Sequence, residues 1–315
     1  MNYSKDSRPN GVSSLTADVL VEAMPWIKNV TGKTVVIKYG GAAMVDEKLR
    51  ADVMADIVLL KIIGIRPVLV HGGGKAISAA MTRANLPVEF VDGQRVTTDE
   101  AMELVRMVLT GKVNQELVEA MNEHGNLAVG LSGADAGTVI AEQMDPRLGR
   151  VGRVTQVNAQ LIEDLIEADY IPIVASIARG EDGGCYNVNA DVVAGSIAAA
   201  IGAHKVVYLS DVDGLYLDFD DKGTLLSRLT VDEAEALIES ESISTGMIPK
   251  LRSCVKALRS GVQRAHMLNG TTPHSILLEL LTDKGIGTMV TGERSAEDAA
   301  HPLENFAAKL SSSGN

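Results

Sequence analysis

The sequence predicts an α/β fold, a three-layer α-β-α sandwich around one mainly parallel sheet. Short runs rich in β-branched residues alternate along the chain with stretches whose apolar residues recur at helical spacing. Glycine turns follow some of the strand-like runs directly, at Gly40-Gly41 and at Gly72-Gly73-Gly74. A βαβα alternation of this kind is typical of a parallel sheet with helices on both faces.

The elements can be predicted in order from residue 34. TVVIKY predicts a strand over residues 34–39, DEKLRADVMADIVLLKIIG a helix that stops at Gly64, and RPVLVHGGG a second strand. Further along, helices are predicted at EDLIEADY and NADVVAGSIAAAIGA, and strands at IPIVASIA, HKVVYLSDV and SGVQRAHML. No linker rich in Pro, Gly or Ser marks the soft boundary near Gly202, so we expect two lobes that share one continuous sheet.

An extension helix is predicted before the first strand, in SSLTADVLVEAMPWIKNV. Leu20, Ala23, Met24 and Ile27 fall at helical spacing, and Pro25 is expected to kink or end the helix. Its apolar stripe needs a surface to cover it, on the same chain or on a neighbouring subunit. The predicted organisation is a tail and kinked helix (1–30), a first lobe (31–201), a second lobe (202–290) and a tail (291–315).

Composition disfavours several classes of partner. The net charge of −12 repels nucleic acid and anionic membrane, and aromatic residues, which stack on bases, make up only 3% of the chain. Cys185 and Cys254 stand far apart with no second Cys or His at metal spacing, which indicates neither a disulfide framework nor zinc. Without an apolar leader or a long apolar segment, the chain is predicted to be cytoplasmic and to act on small molecules.

Two glycine turns indicate where the chemistry lies. Ligands of open α/β sheets bind at the carboxyl ends of the strands, where Lys38 precedes one turn and His71 the other. Neither turn has the Walker A order or the dinucleotide spacing, so a P-loop enzyme and a Rossmann oxidoreductase are disfavoured. A lysine beside glycine amides suits phosphate, and phosphoryl transfer needs mainly positioning and charge neutralisation. The alternatives are glycines that only make tight turns and a solvated lysine.

Polar residues at a later helix start give a second candidate cluster. NVNAD places Asn187, Asn189 and Asp191 there, either as N-cap chemistry alone or as part of a site. YLSDVDGLY is a strand followed by an acidic glycine turn, and STGMIPK is a loop that enters a helix rich in Lys and Arg. An EF-hand is rejected because a strand precedes DVDG and the later calcium ligands are missing.

Taken together, VVIKYGG, LVHGGG, DGQRVT, NVNAD, YLSDVDGLY and STGMIPK resemble the amino acid kinase superfamily and, within it, the N-acetyl-L-glutamate kinases. The resemblance implies the amino acid kinase fold and transfer of the γ-phosphoryl of ATP, with Mg²⁺, to the side-chain carboxylate of N-acetyl-L-glutamate on the route to arginine. No protein metal ligand is implied, since the phosphates and water would hold the Mg²⁺. The implied site residues are Lys38, Lys250 and Asp191 for catalysis; Gly73, Gly74, Arg95 and Asn187 for the substrate; and Gly40, Gly41, Ser210, Asp211 and Gly214 for the nucleotide.

The arginine-sensitive branch of the family implies regulation as well. In that branch a kinked N-terminal helix links dimers into a hexamer, a trimer of dimers, and L-arginine binds beside it as an inhibitor. The implied effector residues are Lys205, His266, Glu279 and Gly287. The resemblance thus implies an oligomerisation helix within 1–30, an acyl-amino-acid-binding lobe at 31–201, and a nucleotide-binding lobe with the arginine site at 202–290.

Several related activities remain as alternatives to this assignment. Carbamate kinase is similar in length but fits the QRVT and GMIPK loops less well, and aspartate kinases and glutamate 5-kinases carry additional domains. A catalytically silent arginine-sensing scaffold is a further alternative, although the chain retains Lys38, Asp191 and Lys250 together.

Overall fold

A computed structural model of the chain describes residues 11–44, 46–240, 243–244, 246–282 and 285–292. The described part of the N-terminal segment begins with the helix at Gly11. Of the predicted C-terminal tail, 291–315, only Thr291 and Gly292 lie within the described residues.

The elements follow the predicted alternation. The described strands are β1 Thr34–Tyr39, β2 Arg66–His71, β3 Phe90–Val91, β4 Gln94–Arg95, β5 Ala128–Ser132, β6 Val139–Gln143, β7 Gly152–Val157, β8 Ile171–Ala175, β9 Ile177–Gly180, β10 Cys185–Asn187, β11 Lys205–Ser210, β12 Leu215–Tyr216, β13 Leu225–Leu226, β14 Arg228–Thr230, β15 Arg264–Asn269 and β16 Thr288–Thr291. The described α-helices are α1 Gly11–Val30, α2 Glu47–Ile62, α3 Gly74–Arg83, α4 Asp99–Arg106, α5 Asn114–Asn122, α6 Gln160–Glu167, α7 Ala190–Ala200, α8 Val231–Glu239, α9 Ile248–Arg259 and α10 Ser275–Leu280. A π-helix, Met107–Val113, joins α4 to α5.

One eight-stranded sheet forms the centre, in the order β14-β16-β15-β11-β1-β2-β8-β5. Its strand pairs are parallel except for β15 with β16, which confirms the predicted mainly parallel sheet. β1 pairs with β11 from Val35↔Lys205 to Lys38↔Tyr208, so the sheet runs unbroken from strands before residue 202 to strands after it. The division into two lobes stays a prediction.

Helices cover both faces of the sheet because successive strand residues point to opposite sides. Ile37 on β1 packs in one core with Met54 of α2 and Leu117 of α5. Val36, its neighbour in sequence, packs in the other core with Val193 of α7. A strand buried on both faces explains the continuous apolar run before Lys38.

The structure differs from the predicted elements in two places. IPIVASIA forms two strands, because the chain leaves the main sheet at Ser176 and β9 joins a small four-stranded sheet, β10-β9-β6-β7. Helix α1 continues through Pro25, so the proline does not end it. On α1, Leu20 and Met24 are each 60% exposed, whereas Ala23 and Ile27 are half-buried. None of the described helices combines the length and the apolar character that a membrane span requires.

Candidate active site

A cleft of about 250 Å³ lies where the main-sheet strands β1, β2 and β8 end, beneath the β3–β4 hairpin and beside the start of α7. It brings together predicted residues that are far apart in sequence: Lys38, Gly40, Gly41, Gly73, Gly74, Arg95, Asn187 and Asp191. This is the edge at which α/β sheets bind ligands.

An ion pair between Lys38 and Asp191 marks one wall of the cleft. Lys38 Nζ lies 3.0 Å from Asp191 Oδ1, and each side chain is only 15% exposed. Lys38 lies one residue before the end of β1, and Asp191 lies in the first turn of α7. The pair therefore links a strand end to a helix start inside a partly desolvated cleft, where charges interact more strongly than in water.

Asp191 is not the N-cap of its helix. That position belongs to Asn189, whose Oδ1 accepts the amides of Asp191 at 2.8 Å and Val192 at 3.4 Å. The sequence left open whether these residues only cap the helix or belong to a site. In the structure Asn189 caps the helix, and the charge of Asp191 is directed to Lys38.

The two glycines after β1 make room for charged groups. A Cβ on Gly40 would lie 2.8 Å from Lys38 Nζ, and a Cβ on Gly41 would lie 2.3 Å from Asp211 Oδ1. Gly41 also has a φ of +78°, which favours glycine. The double glycine therefore lets the Lys38 ammonium and the Asp211 carboxylate approach the backbone closely.

Lys250 lies in the first turn of α9 and is not among the residues that line the cleft. Burial lowers the pKa of Lys250, the charge of Asp191 opposes that change, and the charge of Lys38 adds to it. Helix α9 packs against α7, and the Tyr208 hydroxyl between them donates to the Ser253 carbonyl at 3.4 Å. Asp191 thus forms an ion pair with Lys38 and acts on Lys250 through its charge at longer range.

Arg95 is a buried cation at the other end of the cleft, 7% exposed. Its Nη2 donates to the Gly74 carbonyl at 2.9 Å and to Ser78 Oγ at 2.7 Å, and its guanidinium stacks over the Phe90 ring at 4.7 Å. These contacts are neutral, and none of the ion pairs found among the described residues involves Arg95. Burial lowers its pKa, so an anionic ligand would stabilise its charge.

Thr97, which is not among the predicted site residues, connects Arg95 to Asn187. Its hydroxyl donates to the Arg95 carbonyl at 3.0 Å and accepts from Asn187 Nδ2 at 3.2 Å. Thr97 is fully buried. The threonine of the QRVT motif thus fixes two predicted substrate residues relative to each other.

The predicted nucleotide residues Ser210, Asp211 and Gly214 are not among the residues that line the cleft. Ser210 ends β11, and its hydroxyl donates to the Val212 carbonyl at 3.0 Å. Gly214 is buried against β16, where a Cβ would meet Thr288 Oγ1 at 2.5 Å. Packing therefore already requires a glycine at position 214, whereas Asp211 adjoins Gly41 and the cleft.

The predicted effector residues form a separate buried cluster. His266 Nδ1 lies 2.6 Å from Glu279 Oε1, and Glu279 Oε2 accepts the amides of Ile286 at 2.7 Å and Gly287 at 3.0 Å. Lys205, 6% exposed, starts β11, about 16 Å of strand away from Ser210. Burial lowers the pKa of Lys205 to about 8, an effect that Arg264 increases and Glu279 opposes.

Comparison with known proteins gives consistent matches. Residues 33–269 match the model of the amino acid kinase family. An acetylglutamate kinase of Caldanaerobacter subterraneus subsp. tengcongensis is 48% identical over 290 residues, 91% of this chain and 97% of that protein. An acetylglutamate kinase of Streptomyces avermitilis is also 48% identical, over 90% of this chain and 95% of that protein.

A solved structure with the same fold is that of N-acetylglutamate synthase from Neisseria gonorrhoeae, complexed with coenzyme A and N-acetyl-glutamate. Its TM-score is 0.78 at 25% identity, over 95% of this chain and 70% of that one.

Proposed function

We propose that the cleft carries out phosphoryl transfer, since the chain belongs to the amino acid kinase family and, within it, to the acetylglutamate kinases. As a kinase of this family it uses ATP, and the acceptor is the side-chain carboxylate of N-acetyl-L-glutamate. The product is an acyl phosphate, N-acetyl-L-glutamyl 5-phosphate, on the route to arginine.

The barrier to this reaction is electrostatic, because an anionic carboxylate must approach an anionic phosphate. A glutamate side chain has a reference pKa of about 4.3, so the acceptor is already ionised at neutral pH and no general base is needed. Two cations that flank the transferring group would lower the repulsion more as charge develops on the phosphoryl oxygens.

The observation that supports the proposal is the Lys38–Asp191 ion pair at one end of a cleft that holds Arg95 at the other, with Lys250 close enough for its pKa to respond to both charges of the pair. Asp191 orients the lysines and limits their mutual repulsion. Arg95 offers a planar fork to the α-carboxylate of the substrate, and Asn187 a hydrogen bond to a further polar group.

We propose that Mg²⁺ binds together with the nucleotide. Mg²⁺ bound with ATP is held largely by phosphate oxygens and water, and it neutralises the β- and γ-phosphates. The described residues contain no group of three or more His, Cys, Asp or Glu side chains suited to a metal ion. A metal bound mainly through the nucleotide is compatible with that donor set.

The test is ADP formation, measured in a coupled assay, with four acceptors side by side: N-acetyl-L-glutamate, L-glutamate, L-aspartate and carbamate. We expect kcat/KM to be highest with N-acetyl-L-glutamate. Preference for carbamate would support the alternative enzyme, and no acceptor-dependent ADP would support the silent scaffold.

Inhibition by L-arginine and a hexameric assembly are the regulatory part of the proposal. Lys205 is a buried cation near Glu279, and the buried His266 Nε2 has no hydrogen-bond partner among the described residues. A ligand with both a carboxylate and a guanidinium suits such a cluster. Because Glu279 is engaged by His266 and two amides, binding of a guanidinium there requires these contacts to rearrange.

A further inference from the structure

His71 is a buried polar residue with no role so far in the proposed phosphoryl transfer. It ends β2, is fully buried, and directly precedes the glycine turn that lines the cleft. Its Nδ1 lies 2.9 Å from the carbonyl oxygen of Gly72, and its Nε2 lies 3.0 Å from Nδ2 of Asn114.

Asn114 fixes the tautomer of His71. Its Nδ2 also donates to the Ile173 carbonyl of β8 at 2.8 Å, and an amide nitrogen has hydrogens to donate and no lone pair to accept with. Nε2 of His71 must therefore accept, which leaves the ring proton on Nδ1, directed at the Gly72 carbonyl. The orientation of the Asn114 amide follows from the same bond to Ile173, because its nitrogen is the atom that can pair with a carbonyl.

The position of Asn114 is itself strongly constrained. It begins α5 directly after the π-helix, whose residues Leu109 and Val113 pack against Gly73. On the other side, a Cβ on Gly130 of β5 would lie 2.0 Å from Asn114 Oδ1. The side chain is thus held between α5 and the strands β2, β5 and β8, and it is 2% exposed.

The direction of the Gly72 carbonyl determines the direction of the next amide. The peptide bond is planar and trans, so the carbonyl of Gly72 and the N–H of Gly73 point to opposite sides. With the carbonyl turned inward to His71, the Gly73 N–H is turned away from the ring. Gly73 lines the cleft, and its N–H makes no hydrogen bond within the part of the chain that the structure describes.

We propose that His71, held in its Nδ1–H form by Asn114, is a positioning residue that turns the Gly73 amide into the cleft for an anionic oxygen of the bound substrates. The proposal rests on the proposed phosphoryl transfer and adds the device that orients one donor for it. Preorganised backbone donors stabilise developing negative charge because they need no reorientation during the reaction.

The surroundings keep His71 neutral. Burial lowers its pKa to about 4, and the hydrogen bond with Gly72 opposes that change only in part. The nearest titratable groups on the neighbouring strand are Tyr39, paired in register with His71, and Lys38. The Tyr39 hydroxyl donates to the Ala43 carbonyl and Lys38 pairs with Asp191, and neither contributes to the shift at His71.

The test is the pH dependence of KM for N-acetyl-L-glutamate in Asn114→Asp, measured from about pH 5.5 to about pH 8.5. A carboxylate beside Nε2 raises the pKa of His71 into this range. Below that pKa both ring nitrogens carry protons and Nδ1–H still donates to Gly72. Above it the remaining proton moves to Nε2, a bare Nδ1 faces the carbonyl, and we expect KM to rise roughly tenfold.

Two comparisons isolate the effect. Asn122→Asp makes the same charge change on the same helix, at a side chain whose Oδ1 already accepts two amides, and KM in this variant should change with pH as in the wild type.

His71→Asn places an amide nitrogen near the position of Nδ1, whereas His71→Gln extends toward Nε2. We expect a KM within about threefold of wild type for the former and a rise of about tenfold for the latter.

If Asn114→Asp fails to fold, the two His71 variants decide the question. Equal KM values for them, or a pH profile of folded Asn114→Asp that matches Asn122→Asp, would overturn the positioning role. The proposed function fails separately, by the absence of ADP formation in the wild type.

Discussion

Lys38 Nζ lies 3.0 Å from Asp191 Oδ1, across the gap between the end of β1 and the start of α7. Because Asn189 caps α7, the Asp191 carboxylate is not needed to satisfy the helix amides. The charge of Asp191 is instead available to hold Lys38, and at longer range Lys250, in position. Substitutions at Asp191 and Asn189 can therefore separate the effect of the charge on the lysines from the effect of the helix cap.

Asp191→Asn should lower kcat by roughly ten- to a hundredfold without unfolding the protein. The substitution removes the charge that orients the lysines but leaves the cap. Steady-state kinetics and a urea unfolding curve measure the two effects.

Asn189→Ala is the matched control, and it should cost about 1 kcal/mol of unfolding free energy through loss of the cap. An Asp191→Asn enzyme with wild-type kcat would show that the carboxylate does not organise the lysines.

Lys38→Ala and Lys250→Ala should each lower kcat by about a hundredfold or more, with KM for N-acetyl-L-glutamate changed much less. The reason is that each ammonium contributes most when charge develops on the transferring phosphoryl. Lys256→Ala, at an exposed lysine on the same helix as Lys250, is the control and should behave like the wild type. A raised KM with normal kcat in Lys38→Ala would contradict the assignment.

Arg95→Lys should raise KM for N-acetyl-L-glutamate about tenfold or more while kcat changes less. A lysine keeps the charge but loses the planar fork that contacts Gly74 and Ser78. The same substitution at Arg153, an exposed residue paired with Glu142, controls for the chemistry of the change. Equal KM values in the two variants would remove Arg95 from the substrate site.

The parts of the site that sequence predicts are those encoded locally. Lys38, the double glycine and Asp191 lie next to strand ends or a helix start, and their patterns are visible within ten residues. No local pattern marks Asn114, because its partners His71 and Ile173 are distant in sequence and meet it only through the sheet order. The break at Ser176 also has no local signal, since β8 and β9 form one apolar run in the sequence.

A second pair, between the half-exposed His274 and the buried Asp56, predicts a pH-dependent stability. His274 Nδ1 lies 2.7 Å from Oδ1 of Asp56, which is 1% exposed, and this hydrogen bond raises the pKa of His274. The stabilisation is present below the unfolded value of about 6.5 and is lost as pH rises through the raised value. Because solvent screens the half-exposed His274, His274→Ala should cost only about 0.5–1 kcal/mol near pH 7 and less near pH 9.

Urea unfolding of wild type and His274→Ala at both pH values measures this difference. His204→Ala is the control, because burial lowers the pKa of His204 and it stays neutral throughout this range. A cost for His274→Ala that is constant with pH would show that the imidazolium does not stabilise the fold.

Deletion of residues 1–27 should leave kcat largely intact, reduce a hexamer to dimers, and weaken inhibition by L-arginine. The exposed Leu20 and Met24 on α1 form an apolar surface that a neighbouring subunit would cover. Light scattering and inhibition curves measure the outcome. A truncated protein that stays hexameric and fully sensitive to arginine would contradict this part of the account.

The most direct test of the central claim is trapping of the product with hydroxylamine. An acyl phosphate reacts with hydroxylamine to give a hydroxamate and releases phosphate, whereas simple ATP hydrolysis gives no hydroxamate. We predict N-acetyl-L-glutamyl hydroxamate in amounts equal to the ADP formed, and rates of formation of both that fall about a hundredfold or more in Lys38→Ala. ADP formation without hydroxamate would contradict phosphoryl transfer to the carboxylate.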